Sequence, residues 1–265
     1  MARAVGIDVG GTNCRAAVVD VGTGAIEAWA ERSTLPGRGG EAVLADVVEL
    51  ARTVSAGRRL PVGVALCELV DREGRPAGGM TVDWRELDVA AAFDGPVRLE
   101  SDVRAAARAE SRFGAGRGVG HFMYVTVGTG ISYALLVDGV PYLGAHGEAI
   151  VVGAPPVELV SSGRALAAAA GRPTGEAVFA DPALAGLVES AARRLGEAVA
   201  ALVNALDPEV VAFGGGLGMR DDYRNLAVQF ALPTLDREPA RAPRFVPAET
   251  GTRAGVIGAA LAARA

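Results

Sequence analysis

Two short glycine turns carry the residue types that bind phosphate groups. In GIDVGGTN, Gly10, Gly11 and Thr12 would present backbone N–H groups and one hydroxyl at a tight turn. Asp8, at the end of the preceding apolar run, could hold a metal ion through water. The segment TVGTG at residues 126–130 has the same character. Either turn alone could be a plain hairpin, but two such turns could close on one triphosphate from both sides.

A third glycine segment follows an apolar run later in the chain. FGGGLG, residues 213–218, comes directly after EVVA and would open a helix. Glycines at such a place let the backbone approach a flat ring or a phosphate closely, and an adenosine site is the natural use of this arrangement. A glycine triplet by itself is weak evidence, but its position after two phosphate-type turns strengthens the interpretation.

One aspartate stands where a strand is predicted to give way to a helix. VRLESDVRAAARAE predicts a strand that ends near Ser101 and a helix whose first turn contains Asp102. Aspartate at a helix start is most often an N-cap. The same placement suits a general base, because the helix N-terminus favours the carboxylate and keeps it able to accept a proton from a substrate hydroxyl. The residues alone leave both interpretations open.

Strands and helices alternate in a way that would position these turns. AVGIDVGG and CRAAVVD predict two strands joined by a glycine turn, followed by a strand at AIEAWAERST, a helix over 40–56 and a strand at LPVGVAL. Further along, the pattern predicts a helical region at about 158–170, an amphipathic helix at about 182–205 and a strand at EVVAFGGG.

The second half of the chain repeats the first. FMYVTVGTGISYALLVDG aligns on the first hairpin with a constant offset, which places Thr126 on Asp8 and Asp138 on Asp20. Such duplication predicts two related lobes that face each other across a cleft, against the alternative of chance similarity between two glycine-rich hairpins.

Composition narrows the classes of protein that the chain can belong to. At 265 residues it can build one large domain or two small lobes. The net charge of −5 argues against nucleic acid or an anionic membrane as a partner. All basic residues are arginine, which excludes a lysine-dependent phosphate loop and any Schiff base. Because no leader-like or membrane-spanning apolar stretch occurs, a cytoplasmic location is expected.

Taken together, the motifs resemble those of one family. GIDVGGTNCRAAVVD, ESDVRAAARAE, YVTVGTGIS, DPEVVAFGGGLG and AGVIGAALA are similar, in this order, to the ROK family of sugar kinases and transcriptional repressors. The resemblance implies an α/β fold of two actin-like (ribonuclease H-like) lobes around a central cleft. Residues 1–104, completed by a C-terminal helix at 252–265, would form the small lobe and residues 105–251 the large one. No DNA-binding extension precedes Met1, so the kinase branch is expected, commonly as a homodimer.

The resemblance also implies site residues and cofactors. Asp102 would be the general base, and ATP and Mg²⁺ would be the cofactors, with Asp8 holding Mg²⁺ through water. The residues at the phosphates would be Asp8, Gly10, Gly11, Thr12 and Asn13 in the first turn and Gly128, Thr129 and Gly130 in the second, with Gly214, Gly215 and Gly216 near adenosine.

The chain departs from the family on the side that would bind the sugar. Ser101 replaces the usual Asn before the catalytic Asp, and Cys67-Glu68 replaces Pro-Gly. The Glu-x-Gly-His segment that binds sugar hydroxyls aligns with Val151 to Ala154, so its polar residues are missing. Glu158 still resembles the family's last sugar-contacting Glu.

Zinc is not expected. The family's Cys-rich zinc loop is replaced by PPV, in which Pro155 and Pro156 would supply stiffness instead of the metal. Cys14 and Cys67 lie far apart among apolar neighbours, and two buried thiols are predicted. A closed zinc site needs about four N or S ligands, which this region does not offer.

Four polar residues besides Asp102 are candidate substrate ligands: Glu68, Asp83, Ser101 and Glu158. Glu68 could replace a lost hydroxyl acceptor or face solvent. His146 could approach the substrate or be a surface residue.

The expected function is ATP-dependent phosphorylation of a hydroxyl on a sugar or a sugar-like cyclitol, and known relatives of the family phosphorylate C7-cyclitols. The alternatives are a glucokinase or N-acylhexosamine kinase, and a catalytically silent regulator that binds a metabolite. The expected partner is a small polyol, with no nucleic acid and no membrane.

Overall fold

The computed structural model describes residues 2–152 and 157–265, which form two compact units. The first unit contains Met1–Phe113, Leu143–Ala149 and Thr252–Ala265, and the second contains Gly114–Tyr142 and Ile150–Gly251. The domain limits expected at residues 104 and 251 stay a prediction, because two compact units in a structure are not by themselves two domains.

Ten strands and nine α-helices occur in the described residues. The strands are β1 (Arg3–Val9), β2 (Asn13–Asp20), β3 (Ile26–Ser33), β4 (Val62–Leu66), β5 (Val97–Ser101), β6 (His121–Val127), β7 (Ile131–Val137), β8 (Val140–Pro141), β9 (Val210–Gly214) and β10 (Arg244–Pro247). The helices are α1 (Gly40–Ser55), α2 (Asp102–Phe113), α3 (Glu158–Ser161), α4 (Gly163–Ala170), α5 (Gly175–Val178), α6 (Ala185–Leu206), α7 (Gly215–Gly218), α8 (Asp221–Ala231) and α9 (Ala254–Ala262). Single 3₁₀ turns lie at Pro36–Arg38, Ala90–Ala92, Pro182–Leu184, Leu232–Thr234, Pro239–Arg241 and Gly251–Arg253.

The first unit is built on a five-stranded mixed sheet in the order β3-β2-β1-β4-β5. The first three strands are antiparallel neighbours, and β4 and β5 run parallel to β1. β4, with the sequence VGVAL, is buried on both faces, as the central strands of parallel arrangements usually are. One face of the sheet packs on α1 through Val43, Val47, Leu50 and Val54, which recur at helical spacing.

Small residues bring α9 close to the other face of this sheet. A Cβ on Gly6 would lie 1.9 Å from the backbone oxygen of Val256, and a Cβ on Gly63 would lie 1.8 Å from that of Ala259. Nearly every residue of α9 is buried, as its sequence AGVIGAALA, apolar on all sides, predicts. α9 also packs on α2, so it connects this helix to the sheet.

The second unit repeats this plan. Its five-stranded sheet has the order β10-β9-β6-β7-β8, with β7 antiparallel and β9 parallel to β6. The predicted duplication is therefore confirmed at the level of topology. The pairing differs by one residue, because Val9 pairs with Cys14 whereas Val127 pairs with Ile131. The second hairpin turn is thus one residue tighter than the first.

The predicted helices are confirmed, with one break. The region expected at 158–170 is two helices, because Ser162 is extended and its hydroxyl caps α4 by accepting a hydrogen bond from the Ala165 N–H at 3.2 Å. The long helix α6 ends at Asp207, which takes a left-handed conformation with φ 49°. In the part of the chain that the structure describes, no helix is both long enough and apolar enough to cross a bilayer.

Candidate active site

The carboxyl ends of three parallel strands lie side by side in the first unit. Val9 pairs with Leu66, and Leu66 pairs with Ser101. The residues that follow, Gly10, Cys67 and Asp102, therefore emerge together at one edge of the sheet. Ligands of open α/β sheets bind at this kind of edge.

Asp102 is the first residue of α2 and is half-buried, as the strand-to-helix pattern predicted for its position. Burial raises the pKa of its carboxyl to about 7, and the negative charge of Asp8 adds to this rise. The hydrogen bond that the Val103 N–H donates to Asp102 Oδ1, at 2.6 Å, lowers the pKa but only partly offsets burial. The helix N-terminus alone therefore does not keep Asp102 fully ionised, and the carboxyl is partly protonated at neutral pH. Desolvation outweighs the helix, and the carboxyl titrates near neutral pH, which suits a general base.

Asp8 lies near the end of β1 in a similar environment. Burial raises the pKa of its carboxyl to about 6, and Arg15 partly opposes this rise. A carboxylate that is desolvated in this way gains most from a cation close to it. One carboxylate fits Mg²⁺, which is bound mainly by water and substrate phosphates.

Gly255 at the start of α9 makes the space that Asp8 occupies. A Cβ at this position would lie 2.5 Å from Cγ and 2.6 Å from Oδ2 of Asp8. Any other residue would therefore push the carboxylate away from its place. The sequence motif AGVIGAALA contained this glycine, but its spacing gave no sign of contact with Asp8.

The turn after β1 is held from outside by Thr34. The Gly10 N–H donates to the Asn13 oxygen at 3.0 Å, and the Thr34 hydroxyl donates to the Gly10 oxygen at 2.6 Å. The Thr34 N–H donates to the Thr12 oxygen at 2.8 Å. Gly11 and Thr12 are exposed at the tip. The turn is thus fixed through its carbonyls, and its tip is accessible to a ligand.

Glu68 has a structural partner that the sequence did not suggest. Its buried carboxylate accepts backbone N–H groups from Met80 at 3.0 Å and from Val82 at 3.1 Å, and also from Thr81. These bonds occupy both oxygens and fix the loop at residues 78–82. The role of Glu68 as a direct substrate ligand stays a prediction.

Cys67 lies at the sheet edge directly after β4. Two buried thiols were predicted: Cys14 is buried, and Cys67 is half-buried as a residue although its thiol is desolvated. Burial raises the pKa of its thiol to about 12, and the charges of Asp102 and Glu68 contribute. The thiol is therefore not a nucleophile at neutral pH.

The other candidate ligands of the first unit differ in their surroundings. Asp83 is half-exposed and pairs with Arg85, which holds the pKa of its carboxyl at about 2. Ser101 is fully buried, and among the described residues its hydroxyl has no hydrogen-bond partner. The buried indole N–H of Trp84 also has none within the described chain. His146 is exposed. Ser101 lies directly beside Asp102, whereas nothing places Asp83 in contact with it.

In the second unit the two predicted nucleotide segments are neighbours. Thr126 pairs with Gly214, so β6 and β9 end together. A Cβ on Gly128 would lie 3.9 Å from the Gly216 nitrogen. Gly215 has a φ of 76°, and a Cβ there would lie 2.5 Å from the Val127 oxygen. Gly215 is therefore required by close backbone packing, whereas a Cβ at Gly128 would make only an ordinary contact.

Glu158 lies at the same turn. Its Oε2 accepts the Ile131 N–H at 2.9 Å, and a Cβ on Gly130 would lie 2.8 Å from that oxygen. Glu158 thus closes the turn at residues 128–130 with one oxygen. Val151, which the resemblance aligns with the family's polar segment, is 60% exposed. The expectations for Ala154, Pro155 and Pro156 lie outside the described residues.

Metal ligands are sparse in the described chain. Within residues 2–152 and 157–265, no group of three or more His, Cys, Asp or Glu side chains forms a possible metal site. The described residues therefore contain no ligand cluster for zinc. That the protein holds no zinc stays a prediction.

Solved structures with the same architecture show which class of fold this chain has. Two solved structures share the architecture over 99% of this chain: a ROK family glucokinase from Streptomyces griseus, in complex with glucose and AMPPNP (TM-score 0.84, 25% identity, 99% of that chain), and a ROK hexokinase from Thermus thermophilus (0.81, 29%, 98%). The expected α/β fold of the actin-like class is confirmed.

The chain belongs to the ROK family, whose model matches residues 4–158 and 154–265. The N-acetylgalactosamine kinase AgaK of Shewanella sp. (strain ANA-3) is 27% identical over 97% of this chain and 95% of its own length. The bifunctional enzyme NanE/NanK of Brucella suis is 33% identical over 65% of this chain, which spans only 35% of that longer relative.

Proposed function

We propose that this protein is an ATP-dependent sugar kinase that transfers the γ-phosphoryl group of ATP to a hydroxyl of a sugar or sugar-like polyol. The observation that carries the proposal is the pair of carboxyls, Asp8 and Asp102, at one edge of a parallel sheet. Their pKa values are raised to about 6 and about 7. Perturbed carboxyls at a strand-end edge are typical of catalytic sites.

The two carboxyls would have different tasks. Asp102 would accept the proton of the attacking hydroxyl, and Asp8 would hold Mg²⁺ through water. When bound, Mg²⁺ neutralises charge on the transferred phosphoryl group. The turn at residues 10–13 binds phosphate oxygens through its exposed tip. Phosphoryl transfer then depends mainly on positioning and charge stabilisation.

The second unit would bind the nucleotide. The turn at residues 128–130 offers backbone N–H groups to phosphates, and Gly214 to Gly216 let the adenosine approach the backbone. Their proximity supports this assignment, because one nucleotide can contact both segments.

The acceptor is the finer part of the proposal. Val151 is exposed in a segment that has lost its polar residues, and one oxygen of Glu158 already accepts the Ile131 N–H. A sugar hydroxyl buried against such a wall without a partner would cost about 1 to 3 kcal/mol. These residues favour a carbocyclic polyol such as a C7-cyclitol, which can place a CH₂ group there.

A hexose or an N-acylhexosamine is the second candidate acceptor. The relatives named as glucokinase, N-acetylgalactosamine kinase and N-acetylmannosamine kinase favour it. A silent regulator is the less supported class, since both turns and Asp102 are retained in a geometry suited to catalysis.

The test is an ADP-release assay with a panel of glucose, mannose, N-acetylglucosamine, N-acetylmannosamine and a C7-cyclitol. We expect ADP release that depends on one acceptor and is lost in Asp102→Asn. For the finer proposal, kcat/KM for the cyclitol should exceed that for glucose by about 10²-fold. Equal efficiency with glucose would contradict the cyclitol assignment. Binding of ATP without turnover on any acceptor would instead support the regulator.

A further inference from the structure

Arg104 joins three separate segments around the start of α2. It lies two residues after Asp102, and only 1% of its surface is exposed. Its Nε donates to Glu100 in β5, Nη2 donates to the Val70 oxygen at 2.7 Å, and Nη1 donates to the Gly147 oxygen at 2.9 Å. One guanidinium thus contacts β5, the loop after β4 and the segment at residues 143–149.

This arrangement needs the geometry of arginine. The planar guanidinium directs several N–H groups outward in fixed directions, whereas a lysine ammonium is a compact point charge. Burying a cation is costly unless it is paired and fully hydrogen-bonded. Glu100 supplies the opposite charge, and it also contacts Arg108, whose Nε and Nη2 both lie 3.3 Å from Glu100 Oε2.

The two loops that Arg104 contacts are also packed against each other. Gly147 has a φ of 80°, and a Cβ there would lie 2.6 Å from the Val70 oxygen. Arg72 Nη1 donates to the Gly144 oxygen at 3.3 Å, which adds a second bond between the same segments. The loop after β4 includes Glu68, whose carboxylate accepts the N–H groups of residues 80–82. Displacing Arg104 would therefore loosen several segments next to Asp102.

We propose that Arg104 is a positioning residue for the acceptor, because its guanidinium fixes the loop after β4 and the segment at residues 143–149 relative to Asp102. It does not contact the substrate. The inference rests on the proposed function, since it assumes that the acceptor binds among these segments. It adds to that function the residue that sets the distance between the acceptor hydroxyl and the base.

The test compares Arg104→Lys and Arg104→Ala with Arg108→Lys and Arg108→Ala. Arg108 is the matched control, because it pairs with the same Glu100 carboxylate and lies one turn further along α2. For the Arg104 variants, kcat/KM for the acceptor should fall about 10- to 100-fold, the effect of losing a charge-assisted hydrogen bond. The KM for ATP should stay within about twofold of the wild-type value. In the Arg108 variants, both the acceptor kcat/KM and the KM for ATP should stay within about twofold of wild type.

Two further measurements separate positioning from general stability. The ratio of kcat/KM for glucose to that for mannose should approach one in Arg104→Lys, because a displaced segment no longer distinguishes the two hydroxyl arrangements. Guanidinium ion added to Arg104→Ala should restore part of the acceptor kcat/KM without changing the KM for ATP. Thermal unfolding followed by circular dichroism shows whether each variant is folded. If Arg104→Ala does not fold, the comparison of Arg104→Lys with Arg108→Lys is sufficient for the test.

The inference is overturned if Arg104→Lys keeps the wild-type acceptor kcat/KM and acceptor ratio. It is also overturned if the acceptor kcat/KM falls as much in the Arg108 variants as in the Arg104 variants. An equal change of the acceptor KM and the ATP KM in the Arg104 variants would overturn it as well. If the wild type turns over no acceptor, the proposed function fails, and calorimetric binding of the same panel then decides the inference. Weaker binding in Arg104→Lys than in Arg108→Lys supports it, and equal binding or no binding overturns it.

Discussion

Replacing Asp102 with asparagine should abolish turnover and, at alkaline pH, make the folded protein more stable. The carboxyl has a pKa of about 7 in the folded protein, against an ordinary value of 3.8. The folded protein therefore keeps a proton that the unfolded chain releases between these values. The stability that this carboxyl contributes is present below about pH 4 and is lost as the pH rises towards 7.

The size of the effect follows from the two pKa values. The folded state disfavours the ionised carboxyl by on the order of 4 kcal/mol above pH 8, and about 2 to 3 kcal/mol of this develops between pH 5 and pH 8. Asparagine carries no charge at any pH, so the variant escapes this penalty. The asparagine Oδ1 can still accept the Val103 N–H that Asp102 Oδ1 accepts in the wild type, so the start of α2 should lose little. The free energy of unfolding of Asp102→Asn relative to wild type should therefore rise with pH.

The assay is urea unfolding at pH 5, 6, 7 and 8, followed by circular dichroism for wild type and variant. Asp83→Asn is a control that should show no pH dependence, because Arg85 lowers the pKa of Asp83 to about 2 and this carboxyl is ionised in both the folded and unfolded states between pH 5 and pH 8. In the wild type, kcat/KM should fall about tenfold for each pH unit below about 7. A stability difference for Asp102→Asn that does not change with pH would refute the desolvation argument. Turnover in that variant would refute the role of Asp102 as base.

Four further predictions concern single residues and the metal content. Gly255→Ala should lower kcat by displacing the Asp8 carboxylate, and it should lower the free energy of unfolding, measured in urea, by about 1 to 3 kcal/mol. An unchanged kcat would mean that catalysis does not need Asp8 in its present position. Glu68→Gln should loosen the loop at residues 78–82 and raise the acceptor KM while leaving the KM for ATP unchanged, because an amide offers one acceptor oxygen instead of two; an equal rise in both would contradict it. Gly215→Ala should raise the KM for ATP and destabilise the protein by about 1 to 3 kcal/mol, because the left-handed backbone at this position and the Val127 oxygen both exclude a side chain. A calorimetric titration with AMPPNP should show correspondingly weaker nucleotide binding. Metal analysis of the purified protein should find no stoichiometric zinc, and one tightly held zinc per chain would contradict the sequence-based expectation.

Local patterns were sufficient to predict the elements that position the site. Short apolar runs separated by glycines predicted β1, β2, β6 and β7, and the constant offset between the two hairpins predicted a repeated topology that the two sheets confirm. The start of α2 at Asp102 was predicted because a short strand, VRLES, is followed directly by Asp102 and an alanine-rich helix. Such features depend on neighbours in sequence, so the sequence contains them.

The properties of the site residues depended on groups far away in the chain. The helix start predicted an ionised Asp102, but burial and the charge of Asp8 decided its pKa. Glu68 looked like a free carboxylate, but backbone N–H groups at residues 80–82 occupy it.

Close packing likewise depended on the tertiary structure. Gly255 and Arg104 carried no functional signal in the sequence, because the groups they serve, Asp8 and the oxygens of Val70 and Gly147, are brought to them only by the fold. The sequence determined which strands, turns and helices form, since these follow from interactions over a few residues. The tertiary structure decided charge, hydrogen bonding and available space at the site, because desolvation and steric contact are set by whatever atoms the folded chain places within a few ångströms.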